Sequence, residues 1–121
     1  MKIFKTDQIA KEPATGTLFT GGIVTRQPIV TDQMGGNLIV SVVNFAQGAR
    51  NKFHSHTSDQ ILIVTKGTGI VATEQDEIVV KEGDIIYFPE GEKHWHGATK
   101  DSEFSHIFVY AAGNQTTQLE D

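Results

Sequence analysis

Short stretches rich in β-branched residues, separated by glycine or proline, make up the chain after about residue 17 and restrict its fold more than any other feature. Residues 37–45 (NLIVSVVNF) show this pattern most fully. The remaining stretches are residues 60–65, 69–74, 77–82, 84–88, 94–98 and 103–110. Seven or eight short strands at this spacing, without any long helical periodicity, predict an all-β sandwich or barrel.

Two polar or glycine-containing segments are predicted to form tight hairpin turns. Gln75-Asp76 separates residues 69–74 from residues 77–82. Gly67-Thr68-Gly69 follows residues 60–65 and lacks the lysine and the helix that a phosphate-binding loop requires, so a turn is the better interpretation.

Length and composition indicate one globular domain. The chain has 121 residues, with 38% hydrophobic and 21% charged residues, which is an ordinary globular balance. We assign all of residues 1–121 to a single domain. Residues 1–16 are expected to form an N-terminal arm, residues 17–112 the barrel and residues 113–121 a polar tail.

Charge and cysteine content exclude several classes of protein. The net charge is -5 and there is no basic cluster, so nucleic acid is not expected as a partner. The absence of cysteine excludes disulfides and thiolate metal sites. The N-terminal residues lack the apolar core of a signal peptide, and no apolar run is long enough for a membrane helix. We therefore expect a cytoplasmic protein that acts on a small molecule and has no membrane partner.

All five histidines lie between residues 54 and 106, and four of them form two His-x-His pairs. Because side chains alternate faces along a strand, His54 and His56 share one face, and so do His94 and His96. Two such strands side by side can bring imidazole nitrogens to within about 2 Å of one ion. A single histidine is more often structural than a ligand, but two alternating pairs in a histidine-poor chain favour a metal site.

The spacing of glycine, proline and histidine resembles the two motifs of the cupin superfamily. One motif runs from Gly48 through the first histidine pair to Gly67, and the other runs from Gly83 through Pro89-Glu90-Gly91 to His94. The resemblance covers roughly residues 36–110. It implies a small antiparallel jelly-roll barrel with an internal metal, and assembly into a homodimer or a higher homo-oligomer. The implied metal ligands are His54, His56, Gln60 and His94.

Two positions depart from the common cupin pattern: Gln60 stands where glutamate is usual, and Ala98 where asparagine is frequent. A narrower group shares the glutamine. Residues 54–69 and 83–98 are similar to the small manganese-binding cupins of bacteria that include the cupin-type hydroxynitrile lyases. This resemblance implies manganese as the metal and an active-site histidine at His106.

The neutral amide of Gln60 has a physical consequence of its own. Three imidazoles and an amide leave a divalent ion with its full +2 charge, whereas a glutamate would reduce that charge to +1. The ion should therefore be a stronger Lewis acid and bind less tightly, and its M(III) state should be less stable. The ligand types suit several transition metals; the resemblance favours Mn, and Zn, Fe or Ni remain open.

His96 and His106 are left as candidates for acid–base catalysis. His96 shares a face with His94, and His106 shares a face with Phe108 and Tyr110. An imidazole that titrates near neutrality can accept or donate a proton. The structural alternatives are a histidine bonded to the backbone and a packed core histidine. The same alternation places further candidate pocket residues on the inner face; these are Ser41, Val43, Phe108 and Tyr110.

Three functions compete at this point. The first is a metal-dependent lyase acting on a small hydroxy or carbonyl compound, as in cleavage of a cyanohydrin. The second is a cupin dioxygenase acting on a small enolic or diketone substrate. The third is a non-enzymatic cupin in which the metal anchors a small ligand, since the fold alone does not determine a reaction.

Overall fold

The computed structural model describes all 121 residues and consists almost entirely of β-strands. The strands are β1 (Glu12–Pro13), β2 (Phe19–Thr20), β3 (Val24–Val30), β4 (Leu38–Phe45), β5 (Arg50–Asn51), β6 (His54–His56), β7 (Gln60–Thr73), β8 (Glu77–Lys81), β9 (Ile85–Phe88), β10 (His94–Ala98), β11 (Phe104–Ala111) and β12 (Thr116–Gln118). Two 3-10 turns span Thr6–Gln8 and Asp32–Met34. None of the helical segments has the length and apolar character needed to span a membrane.

The strands form two antiparallel sheets that curl toward each other and share β7. The first sheet has the order β1-β3-β4-β11-β7-β9. The second has the order β2-β5-β10-β7-β8, and β6 joins it by pairing with β10 and β12. The predicted all-β antiparallel jelly-roll barrel is confirmed.

The continuity of β7 corrects one prediction. Residues 60–65 and 69–74 were expected to be separate strands joined by a turn at Gly67-Thr68-Gly69, but they form one strand of 14 residues. Its pairing with β11 shifts register between Ser105 and His106, so one extra residue of β7 is accommodated as a bulge. Gly67 has a φ of 73°, and a Cβ atom there would overlap the carbonyl oxygen of Glu103. The glycine therefore marks the bend at which β7 passes between sheets. The hairpin predicted at Gln75-Asp76 is confirmed.

The core lies between the two sheets and is built from alternate residues of each strand. Phe45 pairs with Phe104 across β4 and β11, their ring centroids are 5.9 Å apart, and both side chains are almost fully buried. Burial of one such aromatic side chain contributes about 1.5–3 kcal/mol to stability. The ring of Phe45 also packs against His96 and His106, so this apolar layer adjoins the buried histidines.

Strand β12 falls inside the segment that the sequence predicts as a polar tail, residues 113–121. Thr116, Thr117 and Gln118 pair with His56, Ser55 and His54 of β6. The carboxylate of Glu120 accepts a hydrogen bond from the backbone N–H of Phe53 and forms an ion pair with Arg50. The C-terminal residues therefore lie along the histidine-bearing strand.

Candidate metal centre and its cavity

Three buried histidines converge between β6 and β10. His54 and His56 are alternate residues of β6, so both side chains point inward and that of Ser55 does not. His94 begins β10 and lies opposite His54 in the antiparallel pairing. The ligand atoms of the three side chains lie within 4.8 Å of one another. These three histidines could hold one metal ion.

Gln60 lies beside this cluster at the first position of β7. Its side chain is buried, and its Oε1 lies 3.3 Å from Nε2 of His94. The structure thus brings together all four side chains that the resemblance to cupins implied as ligands.

Hydrogen bonds on the outer side of each imidazole fix which nitrogen faces the cluster. Nδ1 of His54 donates to the carbonyl of Lys52 at 2.6 Å, and Nδ1 of His94 donates to the carbonyl of Glu92 at 2.8 Å. Both bonds leave Nε2 unprotonated and directed inward, as a metal ligand requires.

His56 is oriented by the C-terminal strand. Its Nδ1 lies 2.9 Å from the hydroxyl of Thr116 and 3.1 Å from the amide nitrogen of Asn114. Nε2 of His56 is buried and has no hydrogen-bond partner in the protein. A buried polar nitrogen without a partner is costly, and a metal ion at the cluster would satisfy it. The residues present therefore fit a divalent transition metal.

Burial keeps the ligand imidazoles neutral. It lowers the pKa of His56 to about 4 and that of His94 to about 3, and the neighbouring His54 adds to both effects. The pKa of His54 is lowered by the same cause. Because a metal binds the unprotonated imidazole, the ligands are in their binding form at neutral pH.

His96 and His106 form a hydrogen-bonded pair next to the ligands. Nε2 of His106 lies 3.2 Å from Nδ1 of His96. The amide nitrogen of Asn51 lies 3.2 Å from Nε2 of His96, and the amide oxygen accepts from the backbone N–H of His96 at 2.8 Å. Nδ1 of His106 is buried and has no partner. Ring centroids of His96 and His94 are 5.9 Å apart, so the pair adjoins the ligand cluster.

The titration expected of this pair from the sequence is not what burial produces. An imidazole near neutrality was predicted, but desolvation lowers the pKa of His106 to about 3 and that of His96 well below its ordinary value. Both rings are neutral at physiological pH. Each can accept a proton, and either would release it readily to a stronger base.

A small cavity of about 50 Å³ opens onto three of the four ligands, His54, His56 and Gln60, and onto the histidine pair. Val43, Phe108 and Tyr110 line it, as the sequence indicated. Ser41 does not: its hydroxyl donates to the carbonyl of Gln27 at 3.2 Å and lies outside the lining. Sequence reasoning missed five lining residues. Four of them come from segments outside the two histidine motifs, and Asn51 lies inside the first motif, three residues before His54; the five are Leu18, Phe19, Arg26, Asn51 and Thr116.

Comparison with known proteins identifies relatives of the chain. Residues 41–110 match the family described as the cupin domain. An (R)-mandelonitrile lyase from Granulicella tundricola is 40% identical over 68 residues, a match that covers 55% of this chain and 52% of that protein. The chain therefore spans about half the length of this curated relative.

Solved structures agree on the architecture. A cupin-like protein from Thermotoga maritima superimposes with a TM-score of 0.84 and 34% identity, over 100% of this chain and 90% of that one. A polyketide cyclase from Streptomyces resistomycificus superimposes with a TM-score of 0.87 over 98% of this chain and 85% of the other. At 14% identity, the second comparison concerns the fold alone.

Replacement of Thr116 by valine removes the hydroxyl that orients His56. We expect Thr116→Val to weaken metal binding about 10-fold or more, as loss of a ligand's outer hydrogen bond typically does. Titration with Mn²⁺ in a metal buffer measures the change. Thr117→Val is the matched control, because Thr117 lies opposite Ser55, which is not a metal-ligand candidate, whereas Thr116 lies opposite His56. Equal affinities in the two variants would contradict the orienting role.

Metal-free protein should lose stability in acid because of its histidines. All five have a lowered pKa in the folded state, whereas the unfolded chain titrates near 6.5. The contribution of the neutral imidazoles to the free energy of unfolding is complete above pH 6.5. It is lost as the pH falls from 6.5 toward the pKa values of the folded state, because the unfolded chain then binds more protons than the folded one. Urea unfolding of chelator-treated protein at about pH 8 and about pH 5 should give a clearly smaller free energy of unfolding at the lower pH. An unchanged free energy would mean that the imidazoles are not buried as described.

Proposed function

The chain belongs to the cupin family, and on that premise we propose that it is a metal-dependent lyase that cleaves a small cyanohydrin to a carbonyl compound and hydrogen cyanide. One observation carries this proposal: a neutral histidine pair adjoins a metal-ligand set that contains no carboxylate. The sequence similarity to a mandelonitrile lyase supports the same chemistry.

The proposed metal is Mn²⁺, held by His54, His56, His94 and Gln60; Zn, Fe or Ni also suit these ligands. When bound, such an ion supplies a Lewis acid that polarises a substrate oxygen. The four neutral ligands leave its charge uncompensated. Polarisation is favoured by this charge, and oxidation to the trivalent state is disfavoured.

His106 is the proposed general base. When Nε2 of His106 donates to Nδ1 of His96, the unpartnered Nδ1 of His106 is the unprotonated nitrogen that can accept a proton from a substrate hydroxyl. The hydroxyl proton moves to this nitrogen, and the bond to the nitrile carbon breaks with its electron pair remaining on cyanide. The substrate carbon becomes a carbonyl, and the proton passes from His106 to cyanide to give hydrogen cyanide.

Burial lowers the pKa of His106, so the histidinium formed by the first transfer is a stronger acid than a free histidinium and can return its proton to the departing cyanide. The same low pKa makes His106 a weaker base in the first transfer. His96, held by Asn51 at both its ring and its backbone N–H, is the proposed orienting partner that keeps His106 in one arrangement.

The other two functions differ in measurable ways. A dioxygenase would consume oxygen during turnover of a diketone or enolic substrate. A non-enzymatic ligand-binding cupin would bind metal fully, with no rate that depends on His106. Oxygen-electrode measurements with a chelating diketone separate the first from the proposed lyase. Cytoplasmic location and assembly into a homodimer or larger homo-oligomer remain predictions.

Metal-loaded protein should release cyanide from mandelonitrile or acetone cyanohydrin. His106→Ala should lower the rate about 100-fold or more, because a general base contributes on that order. A colorimetric cyanide assay gives the rate, and metal analysis verifies that both proteins carry the same amount of ion.

Ile107→Ala is the matched control, because Ile107 follows His106 in β11 and pairs with Val42 and Ile63 away from the cavity. It should retain the rate of the unaltered protein. Equal rates in His106→Ala and the unaltered protein, at equal metal content, would contradict the role of His106.

A further inference from the structure

Only one charged side chain lines the cavity, and it is positive. Among the residues around the cavity, Arg26 is the single charged one, and no aspartate or glutamate is present. The protein as a whole carries a net charge of -5. The region around the metal ligands is therefore locally positive, although the protein as a whole is acidic. A divalent ion held by neutral ligands would add to this local positive charge.

Arg26 is exposed to solvent, and the strand register places it on the face of the sheet that carries the site residues. On the inner face of the first sheet, Arg26 of β3 lies opposite Val43 of β4, and Val43 lies opposite His106 of β11. Since neighbouring strands are about 4.8 Å apart, the Cα atoms of Arg26 and His106 are separated by roughly 10 Å. A side chain as long as arginine covers much of this distance.

The guanidinium of Arg26 is not engaged by another charged group. No carboxylate lies within 4.0 Å of it, in contrast to Arg50, which pairs with Glu120. Its Cζ instead lies 5.4 Å from the ring centroid of Phe19. It is also close enough to Tyr110 for its charge to oppose the rise in the pKa of Tyr110 that burial produces. Phe19 and Tyr110 both line the cavity, so the guanidinium lies at its edge with free N–H donors.

We propose that Arg26 binds a carboxylate of the substrate, so that the preferred substrates are small cyanohydrins that carry a carboxylate apart from the reacting carbon. A guanidinium presents two parallel N–H donors that match the two oxygens of a carboxylate. The reacting end of the substrate, with its hydroxyl, then occupies the small cavity at the metal ligands and His106, and the carboxylate lies outside the cavity, at the solvent-exposed edge where Arg26 is. This assignment rests on the proposed lyase function.

The kinetic test compares two substrates of nearly equal shape and different charge. They are the cyanohydrins of levulinic acid, which is anionic, and of methyl levulinate, which is neutral. Arg26→Gln should lower kcat/KM for the anionic substrate about 10- to 100-fold, the range expected for hydrogen bonds to a charged group. It should leave kcat/KM for the neutral substrate within about twofold, because the variant retains the lining of the reacting end.

Lys66→Gln is the charge-matched control, because Lys66 is an exposed cation paired with Glu103 outside the cavity. It should alter neither rate. Equal losses for both substrates in Arg26→Gln would overturn the proposal, since Arg26 would then act on the departing cyanide or on the fold. An anionic substrate that is insensitive to Arg26→Gln would overturn it as well.

Binding calorimetry separates failure of this proposal from failure of the lyase function. Levulinate and methyl levulinate are titrated into the metal-loaded protein and into the metal-loaded Arg26→Gln variant. A carboxylate bound directly to the metal would give equal affinity in both proteins, so the difference between them reports Arg26 alone. Arg26-dependent binding of levulinate without cyanide release would uphold the carboxylate site and overturn the lyase. Equal binding of levulinate in both proteins would overturn the carboxylate site whatever the lyase result.

Discussion

The antiparallel pairing of β10 with β6 and β7 determines whether this protein has a site at all. It sets His94 opposite His54 and His96 opposite Val71, so the imidazoles of β10 point inward. A shift by one residue would turn Trp95 inward and expose both histidines. Close packing at Gly97 opposes such a shift, because a Cβ atom there would lie 2.5 Å from the carbonyl oxygen of Ala49. The hydrogen bond from the backbone N–H of His96 to Asn51 fixes the same register.

Burial in this register has an electrostatic consequence that governs the proposed chemistry. Five imidazoles are enclosed by two sheets with no carboxylate among the residues that line the cavity, and burial lowers the pKa of every one of them. The site is therefore neutral before a metal binds and carries the full charge of the ion afterwards. A glutamate at position 60 would have supplied an internal counter-charge, and the amide does not.

Period-two alternation was sufficient to predict an all-β sandwich or barrel and to place each His-x-His pair on one face, and the resemblance to cupins selected the barrel. The convergence of His54, His56, Gln60 and His94 came from the resemblance to cupins, because no local pattern specifies which strands become neighbours. The same limit explains what was missed. Arg26 and Thr116 reach the cavity through long-range pairing, and nothing in their immediate sequence distinguishes them from ordinary strand residues. Asn51 lies three residues before His54, but its contact with His96 also depends on long-range pairing.

Two features of the structure differ from what local sequence reasoning suggests, and each has a specific physical cause. Gly67 and Gly69 were interpreted as a turn, but β7 continues through them, with a bulge that carries the strand from one sheet to the other. The alternation of β4 placed Ser41 correctly on the inner face, yet its hydroxyl bonds a backbone carbonyl of the adjacent strand and does not line the cavity. Alternation predicts the face of a side chain and not its hydrogen-bond partner.

The central claim is that a neutral fourth ligand makes this site a Lewis acid for lyase chemistry, and Gln60→Glu tests it most directly. The two side chains have nearly the same size, so the substitution changes the ligand charge with little change in shape. The account predicts that Mn²⁺ binds about 10-fold more tightly or better while cyanide release, at equal metal content, falls at least about 10-fold. Tighter binding with an undiminished rate of cyanide release would contradict it.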